Sequence, residues 1–415
     1  MVNEVNLPRK DVSMSVVKGV AIILMVLGHA EAPSFVTNFI YLFHMPVFFM
    51  AAGYFFAERY LDQPWQFVVR RVKGLYVPFV KWSLFFLVIH NLMFAFGILN
   101  EQYGNWSGGV THPYSGRDML QRAVHIIFSM GGYDEFLAGA FWFFRALLLA
   151  SLVYLALRML LRRAAARLGV QGLSPVTASI MICMAALGFA FVKINWHLRV
   201  ATVVQGGIRE TWGVFFFSAG VVARYAVARF VELYAKGSRP AMLMRRLLPA
   251  TVVMLAGLLC FGASRHWAGM NLSPKLADKR DRNLAGVATL PLTGIAGFIV
   301  LLCVSRWLVA RPSALTRGVT RSLAYVGGLT VYIYVFHIIA FKAVSAVKIW
   351  WFGLDPAQIG CHMVIHDLAP SDGFWVLYTV AGVCLPLAGV ALWRRMVPAL
   401  RAGIAALPPL RSRMR

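Results

Sequence analysis

The sequence predicts an all-α integral membrane protein with about ten transmembrane helices and both termini in the cytoplasm. Composition is the first ground: of 415 residues, 60% are hydrophobic and only 14% charged, with a mean hydropathy of +0.68. A soluble domain of that length needs a polar shell, and this composition cannot supply one. Spacing is the second ground. Apolar runs of about 20 residues recur from end to end, each able to cross ~30 Å of hydrocarbon. The third is the placement of positive charge, which clusters at alternate ends of the runs.

In chain order the runs fall at residues 20–27 (within a longer stretch), 35–56, 75–99, 138–157, 176–194, 214–227, 247–263, 284–304, 323–347 and 374–393. The sixth is the shortest. Arg9 and Lys10 precede the first run, and Arg59, Arg70, Arg71 and Lys73 follow the second. Arg158, Arg162, Arg163 and Arg167 follow the fourth, Arg224 lies near the end of the sixth, and Arg229, Lys236, Arg239, Arg245 and Arg246 follow it. The eighth is followed by Arg306, Arg311, Arg317 and Arg321, and the last by Arg394, Arg395, Arg401, Arg411, Arg413 and Arg415. The other connections are poorer in Lys and Arg, apart from the mixed-sign stretch 275–282. By the positive-inside rule the basic connections are cytoplasmic, which puts both ends inside and makes the number of spans even. One polytopic domain is therefore expected over 1–415, with short cytoplasmic tails at 1–12 and 396–415. The longest external connection is 100–137, with a short amphipathic helix at 119–128.

The formal net charge of +25 would suit nucleic acid, but no basic patch coexists with a soluble domain, so that class is set aside. Cys183, Cys260, Cys303, Cys361 and Cys384 have neither metal-ligand nor redox spacing and read as packing residues. No metal is expected, and no Gly-rich phosphate loop, zinc signature or dinucleotide fingerprint occurs. The start of the chain also fits a cleaved secretion signal, with Arg9, Lys10 and Lys18 before an apolar run and Ala30-Glu31-Ala32 after it. Against that reading, the basic residues extend into the run, and cleavage would leave an odd number of spans.

Ionisable groups inside a span are expensive and are functional candidates by default. The first helix carries two, Lys18 and His29. Eleven residues at 100° each return to nearly the same face, about 16 Å further along the axis. Such a stripe must face a bundle interior or a wet cavity. The bland alternative is an anchoring lysine with a packed or interfacial histidine. His44 and His337 are further intramembrane histidines, each of which suits helix packing; Pro46 after His44 should kink the second helix. Arg145 lies within the fourth span, and Glu210, Glu31 and Asp134 are acids that could pair with it, although snorkelling to the interface serves Arg145 and Glu210 equally well. Arg70, Arg71 and Lys73 read either as topology signals or as an electrostatic funnel for phosphates.

The residues from Lys18 to His29 resemble the first-helix signature of the membrane acyltransferase-3 family, in which a basic residue precedes an essential histidine by the same spacing. Further elements come in the family's order. Phe43-His44-Met45-Pro46, with Phe48-Phe49 and Gly53-Tyr54 behind it, is similar to the family's second helix. Phe67 to Pro78 is similar to its basic first connection, Phe141-Trp142-Phe143 to its fourth-helix motif, Phe215 to Gly220 to a later element, and Tyr332-Ile333-Tyr334 with His337 to one near the end. Among branches, the sugar O-acetylases, including fucose 4-O-acetylase-like proteins, are the most similar.

The resemblance implies transfer of an acyl group, usually acetyl, from cytoplasmic acyl-CoA to a sugar hydroxyl of a cell-surface glycan or its lipid-linked precursor, in a bacterial inner membrane. It makes His29 a general base, with a covalent acyl-histidine as the alternative. Lys18 would meet the CoA phosphates or pantetheine, as would Arg70, Arg71 and Lys73. Here the chain departs from the family, which often has two arginines three residues apart: Arg71 matches the first, but Gly74 stands at the second. Trp142 becomes a stacking platform for a sugar ring. The competing class is a non-catalytic transporter or exporter of a glycan-related substrate, since polar residues in spans also serve substrate paths. Oligomeric state is not legible.

Overall fold

The computed structural model describes residues 11–106, 108–170, 172–196, 198, 207–235, 252–257, 259–260, 262, 284–311, 313–364 and 372–405. Among these, nine helices are long and apolar enough to cross a membrane. The chain is an all-α integral membrane protein. The basic stretches at 236–246 and 275–282 and the outermost parts of both tails lie outside the described residues, as does part of the expected span at 247–263, whose described residues are helical.

The first helix, α1 (Val12–His29), is capped by Asp11, whose side chain accepts from the Met14 amide. The expected second helix is two pieces, α2 (Ser34–Tyr41) and α3 (His44–Tyr54). The break falls at Leu42 and Phe43, before Pro46 rather than at it. Pro46 sits in the first turn of α3, where its missing N–H leaves no intrahelical bond unmade.

The expected basic connection is itself helical. α4 (Pro64–Arg71) passes through a π-turn at Val72–Tyr76 into α5 (Val77–Ala95). The connection after α5, expected to be external, holds a two-residue hairpin, β1 (Asn105–Trp106) with β2 (Gly109–Val110). It then forms α6 (Gly116–Ser129), which covers the amphipathic helix expected at 119–128. A reciprocal capping box of Ser115 and Asp118 starts it.

A single turn, α7 (Glu135–Ala138), leads into α8 (Trp142–Arg167), followed by α9 (Pro175–Asn195) and α10 (Ile208–Ala235). The sixth span, expected to be the shortest, is thus one of the longer helices. α11 (Leu284–Ala310) and α12 (Ala314–Gly328) come next, then α13 (Thr330–Phe352) and α14 (Phe374–Ala405).

Two helix pairs pack backbone against backbone. A Cβ on Gly19 of α1 would overlap the Leu323 carbonyl of α12, and one on Gly327 would overlap the Ser15 carbonyl. Gly53 of α3 and Gly220 of α10 meet the Phe217 and Met50 carbonyls in the same reciprocal way. In lipid there is no hydrophobic force between helices, so close approach over small residues is what holds them. The basic end of the bundle is stitched by charge. Arg158, 4% exposed, grips both oxygens of Glu58 at 3.2 and 2.7 Å and also meets the Tyr154 hydroxyl at 2.9 Å.

Candidate active site

One face of α1 lines two cavities. Lys18, Ile22 and Met25 border a cavity of about 380 Å³ toward the basic end. His29 borders a larger one, about 740 Å³, at the opposite end. The steps from Lys18 to His29 are four, three and four residues, which is how a helix keeps side chains on one face. Met25 and His29 are one turn apart, so about 6 Å of helix separates the two spaces.

The smaller cavity is apolar along its length and cationic at its mouth. Ala51, Ala52 and Phe55 of α3 and Phe143, Phe144 and Leu147 of α8 form its walls. Arg70, Arg71 and Gly74 come from the π-turn region. A π-turn inserts one extra residue per turn and re-aims the side chains beyond it, a device common at functional sites. Arg71 donates to the Ala52 carbonyl at 3.4 Å and lies over the rings of Phe67 and Phe217 at 4.8 and 5.4 Å. Arg70 donates to the Tyr60 hydroxyl at 2.6 Å. A Cβ at Gly74 would meet nothing within 4 Å, so the departure there leaves open space on the cavity wall. Lys73 points elsewhere: it is exposed and borders neither cavity.

The larger cavity is polar and aromatic. Glu31, Glu135 and Arg209 supply charge, Tyr103, Trp106 and Tyr133 supply rings, and Gln358 and His362 complete one side. The residue after the helix cap, Glu31, is held at φ 56°, in the left-handed region. A non-glycine residue there is strained, and such strain concentrates at functional sites. Burial raises the Glu31 carboxyl above the ordinary range, partly offset by nearby Lys348.

Around His29 the packing is aromatic. The His337 ring lies 5.3 Å from that of His29, tilted by 51°. Nδ1 of His337 donates to the Tyr334 carbonyl at 2.9 Å, because a carbonyl can only accept. Its Nε2 is buried and finds no partner among the described residues. His44 is anchored at 2.8 Å through Nδ1 to the Ile40 carbonyl, beside Tyr41 at 5.3 Å. Tyr41 in turn donates to the Gly28 carbonyl at 2.6 Å. His44 thus fixes the joint between α2 and α3 at the shoulder of His29, and lines neither cavity.

Two sequence candidates have structural partners instead of cavity positions. Arg145, 8% exposed, holds Glu210 through Nε and Nη2 at 3.2 and 3.1 Å, tying α8 to α10. Glu31 and Asp134 have other neighbours. Asp134 pairs with His90 at 2.5 Å, both fully buried, and His90 donates through Nε2 to the His112 carbonyl at 2.9 Å. That pair pins the connection between α5 and α8 to α5. Trp142 also lies off both cavities; the Arg209 guanidinium sits over its ring at 4.3 Å. The tryptophan on the cavity wall is Trp106, in the hairpin. In sequence its tripeptide shows nothing beyond a chance glycosylation pattern.

Tyr133, Glu135, Arg209 and His362 also escape sequence reasoning, since they lie in short loops or at helix starts, where no periodicity marks a face. Lys342 shows how the wall is held: its ammonium donates to the Ile359 and Cys361 carbonyls at 2.7 and 2.6 Å, beside His362. Burial, with lesser contributions from His29 and Lys342, pushes the His362 imidazole down to about 4. An ordinary histidine titrates near 6.5, so the unfolded chain binds a proton that the folded chain refuses between those values. Stability from this residue is therefore present above pH ~6.5 and lost as pH falls toward 4. The melting temperature should drop from pH 7 to pH 5, and drop less in His362→Gln; equal drops would remove His362 from the account.

Among the described residues, no group of three His, Cys, Asp or Glu side chains is placed to hold a metal ion. Searches of curated proteins and of solved structures returned no significant match. A family model described as an acyltransferase domain matches residues 11–393, nearly the whole chain and both cavities with it, and the protein therefore belongs to the acyltransferase-3 family.

Proposed function

We propose that this membrane acyltransferase moves an acyl group, acetyl in the simplest case, from cytoplasmic acyl-CoA to a sugar hydroxyl of a cell-surface glycan or its lipid-linked precursor. The observation that carries the reading is the single face of α1 shared by a cationic-mouthed apolar cavity and a polar aromatic one. The smaller cavity suits a thioester: Arg70, Arg71 and Lys18 offer charge to phosphates, and the apolar walls offer a sleeve for pantetheine. The larger suits a sugar. Carboxylates and Gln358 can take hydroxyl protons in hydrogen bonds, and rings of Tyr and Trp can cover an apolar sugar face. The abundance of basic residues at the Lys18 end supports a cytoplasmic placement of that end.

His29 is the general base. Its imidazole removes the proton of the acceptor hydroxyl as the oxygen attacks the thioester carbonyl. The carbon–oxygen bond forms, the carbon–sulfur bond breaks, and the thiolate of CoA leaves toward the smaller cavity. The proton held by His29 returns to that thiolate, so the enzyme ends unchanged. Lys18, about 16 Å along the axis from His29, acts on the donor's polar portion and not on the reacting carbonyl.

The test uses purified protein in lipid nanodiscs, labelled acetyl-CoA and a glycan fraction. Alkali-labile label on the glycan is expected. Uptake of a glycan by proteoliposomes with no label transferred would favour the transporter instead. Arg71→Ala should raise the KM for acyl-CoA by about ten- to a hundredfold with a smaller change in kcat, and the difference should shrink as salt rises. An unchanged KM would place the phosphates elsewhere.

A further inference from the structure

Between the two cavities lies a partition one helical turn thick, built from α1 and α13. These helices run in parallel, with Met25 at the level of Tyr334 and His29 beside His337. Tyr334 stands between the two spaces and borders the smaller one. Its hydroxyl donates to the carbonyl of Ala140, a residue on the wall of the larger one. The ring is clamped on three sides, 5.8 Å from Phe141, 6.2 Å from Phe143 and 5.0 Å from Phe144. Its main-chain carbonyl also holds His337 against His29.

We propose that Tyr334, with Met25 opposite, sets the length of acyl group the enzyme transfers and restricts it to short chains. The inference rests on the assignment of the smaller cavity to the donor. For the thioester carbonyl to reach His29, the acyl tail must lie within the layer between Met25 and His29, which is about 6 Å deep. Two carbons fit there. A longer chain meets the Tyr334 ring, which cannot swing away while its hydroxyl is tied to Ala140 and its faces are packed. The restriction thus comes from a tethered aromatic, not from the volume of the cavity below.

The experiment measures transfer from acetyl-, butyryl- and hexanoyl-CoA by wild type, Tyr334→Leu and Met25→Ala, with binding of each thioester recorded separately. Wild type is expected to favour acetyl. Each substitution should raise the butyryl-to-acetyl rate ratio by about tenfold or more, the scale on which a pocket discriminates one methylene group. Tyr334→Phe, which keeps the ring and frees only the tether, should shift the ratio in the same direction by less. It stands in for Tyr334→Leu should that variant fail to accumulate. A purely structural role would lower all three rates alike and leave the ratio at its wild-type value, and that result overturns the proposal. Absence of thioester binding to wild type would overturn the donor assignment itself, and is seen before any variant is compared.

Discussion

Replacing His29 with alanine is expected to cut acyl transfer by about 10²- to 10⁴-fold, the contribution of a positioned acid–base group, while acyl-CoA binding stays as in wild type. The split comes from the geometry: His29 borders the larger cavity, and the groups assigned to the donor border the smaller one. Steady-state transfer and direct binding, measured on the same preparation, separate the two. A rate within a few-fold of wild type in His29→Ala would remove the base from the mechanism. The covalent alternative is separated by denaturing the enzyme rapidly at neutral pH in the absence of acceptor, since an acyl-imidazole is lost in acid: a label retained on His29 would mark an acyl-enzyme, whereas direct transfer leaves the protein unlabelled.

A larger structural effect is expected at Gly53. Its missing side chain lets α3 sit on the Phe217 carbonyl of α10, and Gly220 returns the same contact to the Met50 carbonyl. Gly53→Val would force two helix backbones apart and loosen the aromatic packing between them, at a cost of about 3 kcal/mol or more. The fraction of monodisperse protein after detergent extraction should collapse. Gly188→Val is the control, because it lies on an exposed face of α9 where an added Cβ meets nothing within 4 Å. Equal yields of the two variants would show that the α3–α10 contact does not hold the bundle together.

Local geometry explains why the stripe on α1 was legible in the sequence. Lys18, Met25 and His29 belong to one unbroken helix, and a helix fixes the angular relation of its own residues whatever surrounds it. The multi-span architecture was legible for a similar reason, since hydrocarbon thickness imposes a minimum run length on every crossing. Contacts between elements had no such local signal. Arg145 had three acids to choose from, and only the packing of α8 against α10 selects Glu210. Trp142 and Trp106 are equally aromatic, and the fold turns one under Arg209 and the other onto the cavity. Tyr334 sits in a run that reads as packing; its tether to Ala140 joins residues 194 positions apart. The second helix breaks at Leu42 although its apolar run continues: the Ile40 carbonyl accepts from the Phe43 amide at 3.2 Å, in a tightened turn, and from the His44 imidazole at 2.8 Å.

The central claim is that two cavities, meeting at α1, open toward opposite faces of the membrane. Native Cys361 borders the larger one, and Ala52→Cys would place a thiol on the wall of the smaller. With the other cysteines replaced by serine, a membrane-impermeant thiol reagent is applied to sealed vesicles of each orientation, with and without acyl-CoA. The account predicts that the thiol at position 52 reacts from the cytoplasmic face alone and is protected by acyl-CoA, while Cys361 reacts from the opposite face alone. Reaction of both thiols from the same face would contradict it.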